Sequence, residues 1–414
     1  MSRGDEHLIR VPGPINAHSH AFHRILRGRT HEGAAGGAGD FWTWREQMYA
    51  AADQLDPAGY EQLATAVFAE MVVTGWTAVG EFHYLHHGPD GTPYPDHAME
   101  RALARAARTA GIRLVLLDTC YLSGGLDTDG RAVDLNDTQL RFSDGDAGRW
   151  AARHSALRAA LASDEPATAE AGAGLVTLGA AIHSVRAVPP AALAVVAGAL
   201  AEGEPLHVHL SEQPAENAAC RAAHGMTPAE LLAAHGLLTD RLSAVHATHL
   251  TAADISALGA AGCSIVMCPT TEADLADGIG PARQLADAGA TIALGTDQHA
   301  VVDPYLEMRA LEHGERLRTG IRGRFSPAEL AAASRTGGLR SLGLADNDDH
   351  LLVDSASLRT AGSREAQLPL TATAADVHAV VINGIEIARD GIHTRLGDPA
   401  ALFREFTYEH REFA

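Results

Sequence analysis

Cysteine is scarce in this sequence: four residues in 414, at Cys120, Cys220, Cys263 and Cys268. They are scattered, and none stands in a C-x2-C spacing. A thiolate zinc knuckle is therefore excluded, and a disulfide framework is not expected at this length. Buried thiols are the expectation. No run of about 18 apolar residues occurs, so no membrane-spanning helix is expected. The opening residues, MSRGDEHLIRVPGP, contain no apolar core of a secretory signal. Positive charge is in deficit, with 32 Lys and Arg against 52 Asp and Glu, a formal net charge of -20. Such a field disfavours nucleic acid and anionic membranes as partners. Internal repeats are absent as well. These absences together point to a reducing cytoplasm.

What is present is a large core. Hydrophobic residues make up 46% and charged residues 20%, so disorder is not expected. Short β-branched runs alternate with longer Ala/Leu-rich stretches of helical period, the pattern of βαβ units. Eight strands are expected, over 15–20, 77–84, 113–121, 176–183, 206–210, 242–248, 263–268 and 291–297. Helices are expected between them, over 59–73, 95–110, 146–162, 189–201, 228–234, 251–261 and 281–288, several opening on Pro or an Asp/Thr cap. Eight such units close into a (β/α)8 TIM-like barrel, assigned to residues 13–340. Residues 1–12 and 341–414 are left for a small β-rich domain and a C-terminal tail, with Leu351–Val353 and Val377–Ile387 (VHAVVINGIEI) reading as strands around a turn. Two connections are long, Arg27–Asp40 and Leu122–Gly145; each can be a lid or mere filler.

Barrel enzymes carry their chemistry at the C-terminal strand ends. The first strand ends His18-Ser19-His20, an H-x-H pair whose imidazoles point the same way. The fifth carries His207-Val208-His209, with Glu212 just beyond; the sixth carries His246 and His249 in VHATH; the eighth ends GTDQH and places Asp297 at the rim. The second strand ends His83-Tyr84 and the fourth His183-Ser184-Val185-Arg186. Histidines 7, 86, 87, 97, 154, 224, 235, 313 and 350 fit solvated or loop positions and receive no role. Three imidazoles (His18, His20, His209) and one carboxylate (Asp297) suit one catalytic divalent ion, Zn²⁺ in the first place, that keeps an open position. Such an ion lowers the pKa of its water. Asp297 is then also the acceptor of the water's proton, His246 holds the resulting hydroxide or stabilises the developing charge, and Glu212 carries a proton to the leaving nitrogen.

The successive segments HSHAFHR, FWTWREQMY, EFHYLHH, HSVRAV, HVHLSEQ, VHATHL, CPTTEADLADGI and GTDQH resemble those of the N-formimino-L-glutamate deiminases of the amidohydrolase superfamily. The resemblance runs from about Asn16 to Arg318. It implies a barrel of the amidohydrolase type with a small β-sandwich built from both termini. It also implies hydrolysis of N-formimino-L-glutamate to N-formyl-L-glutamate and ammonia in histidine breakdown, with one divalent metal, and a homodimer. The metal role falls on His18, His20, His209 and Asp297, and acid/base roles on Glu212, His246 and Asp297. Substrate binding falls on Tyr84, His183 and Arg186, and on Arg45 of FWTWRE, which could reach across a dimer interface. Arg186 equally suits a helix cap or an acidic partner, and the FWTWRE aromatics equally suit core packing or an interface patch. Two departures are visible. His23 stands where the family often has glutamine, near the expected substrate carboxylate. Only about 15 residues precede the H-x-H, so the sandwich is reduced or the chain starts late; Val377–Ile387, if unpartnered, would leave an exposed edge.

Overall fold

Runs of β-branched and apolar residues that are buried on both faces belong in a parallel sheet covered by helices, and that is what this chain builds. The computed structural model describes residues 5–30 and 41–410. Along the chain the strands are β1 (Leu8–Pro12), β2 (Ile15–Ser19), β3 (Ala78–His83), β4 (Arg113–Cys120), β5 (Gly125–Leu126), β6 (Ala132–Val133), β7 (Val176–Ile182), β8 (Leu206–Leu210), β9 (Leu242–His246), β10 (Ser264–Met267), β11 (Thr291–Leu294), β12 (His350–Asp354), β13 (Val377–Ile382), β14 (Ile385–Arg389) and β15 (Ile392–His393).

Eight of these, in the order β2-β3-β4-β7-β8-β9-β10-β11, form one sheet in which every neighbouring pair is parallel. They are the eight strands expected. The sheet closes on itself where β11 meets β2, through a parallel bridge between Ser19 and Asp297. The His18 carbonyl accepts from the N–H groups of Thr296 and Asp297 at 3.1 and 3.0 Å, and the His20 N–H donates to the Asp297 carbonyl at 3.1 Å. Gly295 makes this approach possible: a Cβ there would lie 2.8 Å from His18 Cβ and 2.9 Å from the His18 carbonyl oxygen. The other mouth of the barrel is plugged by Gly338–Ser341, where the Ser341 carbonyl accepts from His207 Nε2 at 2.9 Å and from Ser243 Oγ at 3.1 Å.

The helices between strands start where polar caps permit. Asp56, Asp146 and Thr251 accept backbone N–H groups at the heads of Pro57–Thr74, Ala147–Ser163 and Ala252–Ala260. Helices Phe41–Asp53, Pro214–His224 and Pro304–Thr319 were not anticipated from sequence. The Leu122–Gly145 connection is neither filler nor an open loop. It holds the β5/β6 hairpin and a short helix, Asp137–Leu140, closed by a reciprocal Asn136/Gln139 capping box. Arg141, fully buried, fastens it to the end of helix Phe41–Asp53 and to the loop after β3 by donating to the carbonyls of Ala52, Leu55 (2.6 Å) and His87 (3.1 Å). Of the Arg27–Asp40 connection, residues 31–40 lie outside the described residues.

A second sheet, in the order β1-β12-β13-β14-β15, is antiparallel throughout. β13 turns into β14 through Asn383-Gly384, both left-handed (φ 53° and 76°), as a two-residue hairpin requires. Val377–Ile387 does have partners, since β13 is paired on both sides, by β12 and β14. All four cysteines are buried free thiols. Among the described residues no helix is long and apolar enough to cross a membrane.

The set-aside histidines divide. His86, His87 and His154 are buried, not solvated. They sit in an ionic network between barrel and helices: His86 with Glu100 (2.8 Å), His87 with Asp144 (3.2 Å), His154 with Asp118 (2.9 Å) and Glu204 (3.4 Å). Arg153 bridges Glu100, Asp118 and Asp144 at 2.8–3.0 Å. His86 and His87 do lie in the loop after β3, whereas His154 lies within helix Ala147–Ser163; their burial was hidden because a histidine's partners in such a network come from elements far apart in the chain.

Candidate active site

The H-x-H of β2, the third histidine of β8 and the aspartate after β11 converge. His18 Nε2 lies 3.3 Å from His209 Nε2 and 3.4 Å from Asp297 Oδ1, and His20 Nε2 lies 3.5 Å from the same Asp297 oxygen. Ligands about 2.0–2.2 Å from one divalent ion in a tetrahedral shell stand roughly 3.3–3.6 Å apart, so these separations fit one small cation. The proton inventory agrees. Burial, with help from neighbouring histidines, holds His18 and His209 well below the usual imidazole value and lowers His20 to about 3. All three rings are thus neutral. His20 Nδ1 donates to the Phe82 carbonyl at 2.8 Å, which leaves its Nε2 lone pair facing the cluster. The two Nε2 atoms 3.3 Å apart can share one hydrogen bond, or both can turn their lone pairs to a single cation.

The backbone is held in unusual conformations around this cluster. Ser211, His246 and Asp297, at or just after the ends of β8, β9 and β11, have φ of 52°, 68° and 45°. Residues with a Cβ avoid this region, and such strain gathers where a site fixes side chains.

Glu212 and His246 flank the cluster. His246 Nε2 lies 3.7 Å from Glu212 Oε1 and 4.0 Å from Asp297 Oδ2. On its far side His246 Nδ1 lies 3.6 Å from Glu272, which also accepts from the Cys268 N–H at 2.9 Å. Burial pushes the Glu212 carboxyl up to about 7, with Asp297 adding to the rise and His246 opposing it. Burial works against a charged His246, but Glu212, Glu272 and Asp297 outweigh it and raise that ring to about 10.

The same cavity is lined by Arg45, Tyr84, His183 and Arg186, together with His23. Of the residues given a metal, acid/base or substrate-binding role in the sequence, His18 alone does not line it; His18 is fully buried behind. His23 Nε2 is hydrogen-bonded to the Tyr84 hydroxyl at 2.9 Å, and that hydroxyl also donates to Met48 Sδ at 3.7 Å. The His183 ring stands 5.1 Å from that of His209. Among the described residues Arg186 makes one ion-pair contact, with Glu216 at 4.0 Å; its charge is also felt at Glu212, and its buried Nε has no hydrogen-bond partner. The helix-cap alternative for Arg186 therefore falls; the acidic-partner alternative holds only loosely. Arg45 lies over the Trp42 ring at 4.5 Å. Trp44 and Phe41 line the cavity while Trp42 is exposed, so FWTWRE serves cavity and surface at once.

Several members were missed in the sequence. Buried Glu81 accepts from Ser19 Oγ (2.5 Å) and the Ala21 N–H (2.6 Å), clamping the segment that carries His18 and His20. Burial pushes its carboxyl up to about 8. His299 of GTDQH touches Ser19 Oγ and Thr296 Oγ1, each at 3.1 Å, and Asn16 Nδ2 donates to Thr296 Oγ1 at 2.7 Å. Tyr49 and Tyr121 line the cavity wall. His249 is not part of the site; its Nε2 donates to the Asp277 carbonyl at 2.8 Å. His83 faces away from the cavity, stacked on Tyr60 at 5.8 Å.

Comparison with known proteins gives a consistent picture. The profile described as the amidohydrolase family matches residues 9–351. A formimidoylglutamate deiminase of Pseudomonas aeruginosa is 36% identical over 342 residues, covering 80% of this chain and 72% of that protein. A 5-methylthioadenosine/S-adenosylhomocysteine deaminase of Pelotomaculum thermopropionicum is 27% identical over 91% of this chain and 80% of its own length. Among solved structures, an amidohydrolase from Brucella melitensis superposes with a TM-score of 0.85 at 31% identity, covering 98% of this chain and 89% of that one.

Proposed function

The chain belongs to the amidohydrolase family, and on that footing we propose that it hydrolyses N-formimino-L-glutamate to N-formyl-L-glutamate and ammonia. One observation carries this reading. A metal-type donor cluster and a guanidinium without a hydrogen-bonded partner at its Nε, Arg186, serve the same cavity. A heterocyclic substrate calls for a flat apolar slot; an acyclic dicarboxylate calls for cations and hydroxyl donors, which Arg186, Arg45 and Tyr84 supply. The deiminase of Pseudomonas aeruginosa supports the same substrate.

His18, His20, His209 and Asp297 would hold the ion, and the N₃O donor set favours zinc. What that ion supplies when bound is Lewis acidity toward water. The rest falls to the protein. Arg186 forks onto one carboxylate, while Tyr84 and His183 orient the chain so that the formimino carbon faces Asp297 and Glu212. Water oxygen adds to that carbon as Glu212, poised near neutrality, takes one of its protons and passes it to the imino nitrogen. Asp297 then takes the remaining proton from the new hydroxyl, and that proton reaches the same nitrogen through Glu212 as the C–N bond breaks, so the carbonyl forms and ammonia leaves. His246, beside both carboxylates, steadies the charge that builds in between.

The same reading includes a homodimer, favoured by exposed Trp42 with Arg45 over its ring. It includes a reducing cytoplasm, favoured by four unpaired thiols, and a division at residues 13–340 between the barrel and the β-rich remainder. The test is direct. Zinc-loaded protein is incubated with N-formimino-L-glutamate and ammonia is measured. Release supports the reading; none, with a purine or pyrimidine deaminated instead, overturns it.

A further inference from the structure

The helix Asp137–Leu140 in the connection after β4 fixes more than itself. Gln139 Oε1 accepts from the Asn136 N–H at 3.0 Å, and Asn136 Oδ1 accepts from the Gln139 N–H at 2.9 Å. The cap therefore commits the amide oxygen of Gln139, and its nitrogen is the end that faces the site. Gln139 Nε2 donates to the Tyr49 hydroxyl at 3.0 Å and the Tyr121 hydroxyl at 2.8 Å. Both phenol oxygens act as acceptors here, so each keeps its own proton for another partner, and the two phenols can use at most one of those protons on each other.

The setting suits an anion. Tyr49 and Tyr121 line the same cavity as Arg186 and Arg45. Arg45 Cζ lies 5.7 Å from the Tyr49 ring centre, and the His183 ring stands 4.4 Å from that of Tyr121. Burial pushes the Tyr121 hydroxyl above its usual value, so it stays a proton donor at neutral pH. The carboxylates that share the cavity, Glu212 and Asp297, belong to the metal end.

We propose that Tyr49 and Tyr121, oriented by Gln139, form a carboxylate-binding subsite that works with the two guanidinium groups and selects an acyclic dicarboxylate. This rests on the reading above for the identity of the substrate, but not for the binding itself. Tyr49 and Tyr121 would touch the ligand; Gln139 acts through them as a positioning residue.

The probe is glutarate, titrated calorimetrically into the zinc-loaded full chain, so no turnover is needed. Tyr121→Phe removes one donor proton and keeps the ring. Gln139→Glu keeps the cap but replaces the donating amide by an acceptor, which draws the phenol protons inward. Each variant is expected to weaken glutarate binding about tenfold or more. With N-formimino-L-glutamate the KM should rise while kcat holds, a split that a purely structural role would not give. Unchanged glutarate affinity in both variants, or no glutarate binding by the parent chain, overturns the subsite. Tyrosine-dependent glutarate binding without ammonia release would leave the subsite standing and remove the deiminase reading instead.

Discussion

The Asp297 N–H donates to the His18 carbonyl at 3.0 Å, so the barrel sheet is joined end to end at two residues whose side chains also meet, at 3.4 Å. The seam of the fold and the candidate metal cluster are one place. Gly295→Ala tests this. The added methyl meets His18 at 2.8–2.9 Å, so the variant should lose about 1–3 kcal/mol of stability. Zinc per chain should drop with it, measured by denaturant unfolding and by elemental analysis. Full stability with full metal content would refute the link.

Glu212→Gln keeps the shape of the side chain and removes its proton exchange. The expected fall in kcat is about 10²–10⁴-fold, with zinc content and glutarate affinity retained. Steady-state ammonia release, read beside metal content, decides it.

Arg186→Met should raise KM by about tenfold to a hundredfold, the worth of hydrogen bonds to a charged group, and change kcat little. It also strips Glu216 of the Arg186 cation 4.0 Å away, so a lower melting temperature should accompany it. Indifference of KM to the change would remove Arg186 from substrate recognition.

Removing the ion should cost stability, because a ligand that binds only the folded chain stabilises it. Treatment with a chelator is expected to lower the melting temperature, and zinc to restore it. A His209→Ala chain should show no such difference, since its donor set is broken.

The ionic network behind the barrel gives a pH signature. Arg158, His154 and the Ala201 N–H outweigh burial and hold the Glu204 carboxyl down to about 2, against an ordinary 4.5. A depressed acid stabilises the fold above its unfolded value and loses that effect as pH falls through its folded one. The stability gap between parent and Glu204→Gln should therefore be full above pH 4.5 and vanish toward pH 2. His154 is raised instead, because Asp118 and Glu204 overcome its burial; its own contribution is present below 6.5 and fades as pH climbs past its raised value. Unfolding midpoints across pH, parent against variant, measure both.

The strand ends carried most of what the sequence could tell. His18, His20, His209 and Asp297 were legible because a period of two and a shared barrel mouth are local rules that any strand obeys. Glu81 was not, although it sits in EFHY. Its use depends on Ser19 and Ala21, some sixty residues earlier in the chain. Glu272 was hidden in a helix head whose contact to His246 is fixed by packing. Gln139 had a readable signal, the N-x-x-Q of a capping box, but nothing local said that its amide would serve two tyrosines, one ninety residues upstream.

Closure of β2 against β11 has a consequence for biosynthesis. His18 emerges from the ribosome early, and Asp297 about 280 residues later. Until then the first strand has no partner on one side and the donor set is short of its carboxylate. Contacts so distant in sequence form slowly, so a cation held by all four side chains would be captured late, by a nearly finished chain. Before that moment His18 and His20 wait on an open strand edge, the interval in which a nascent barrel is most exposed to wrong pairing.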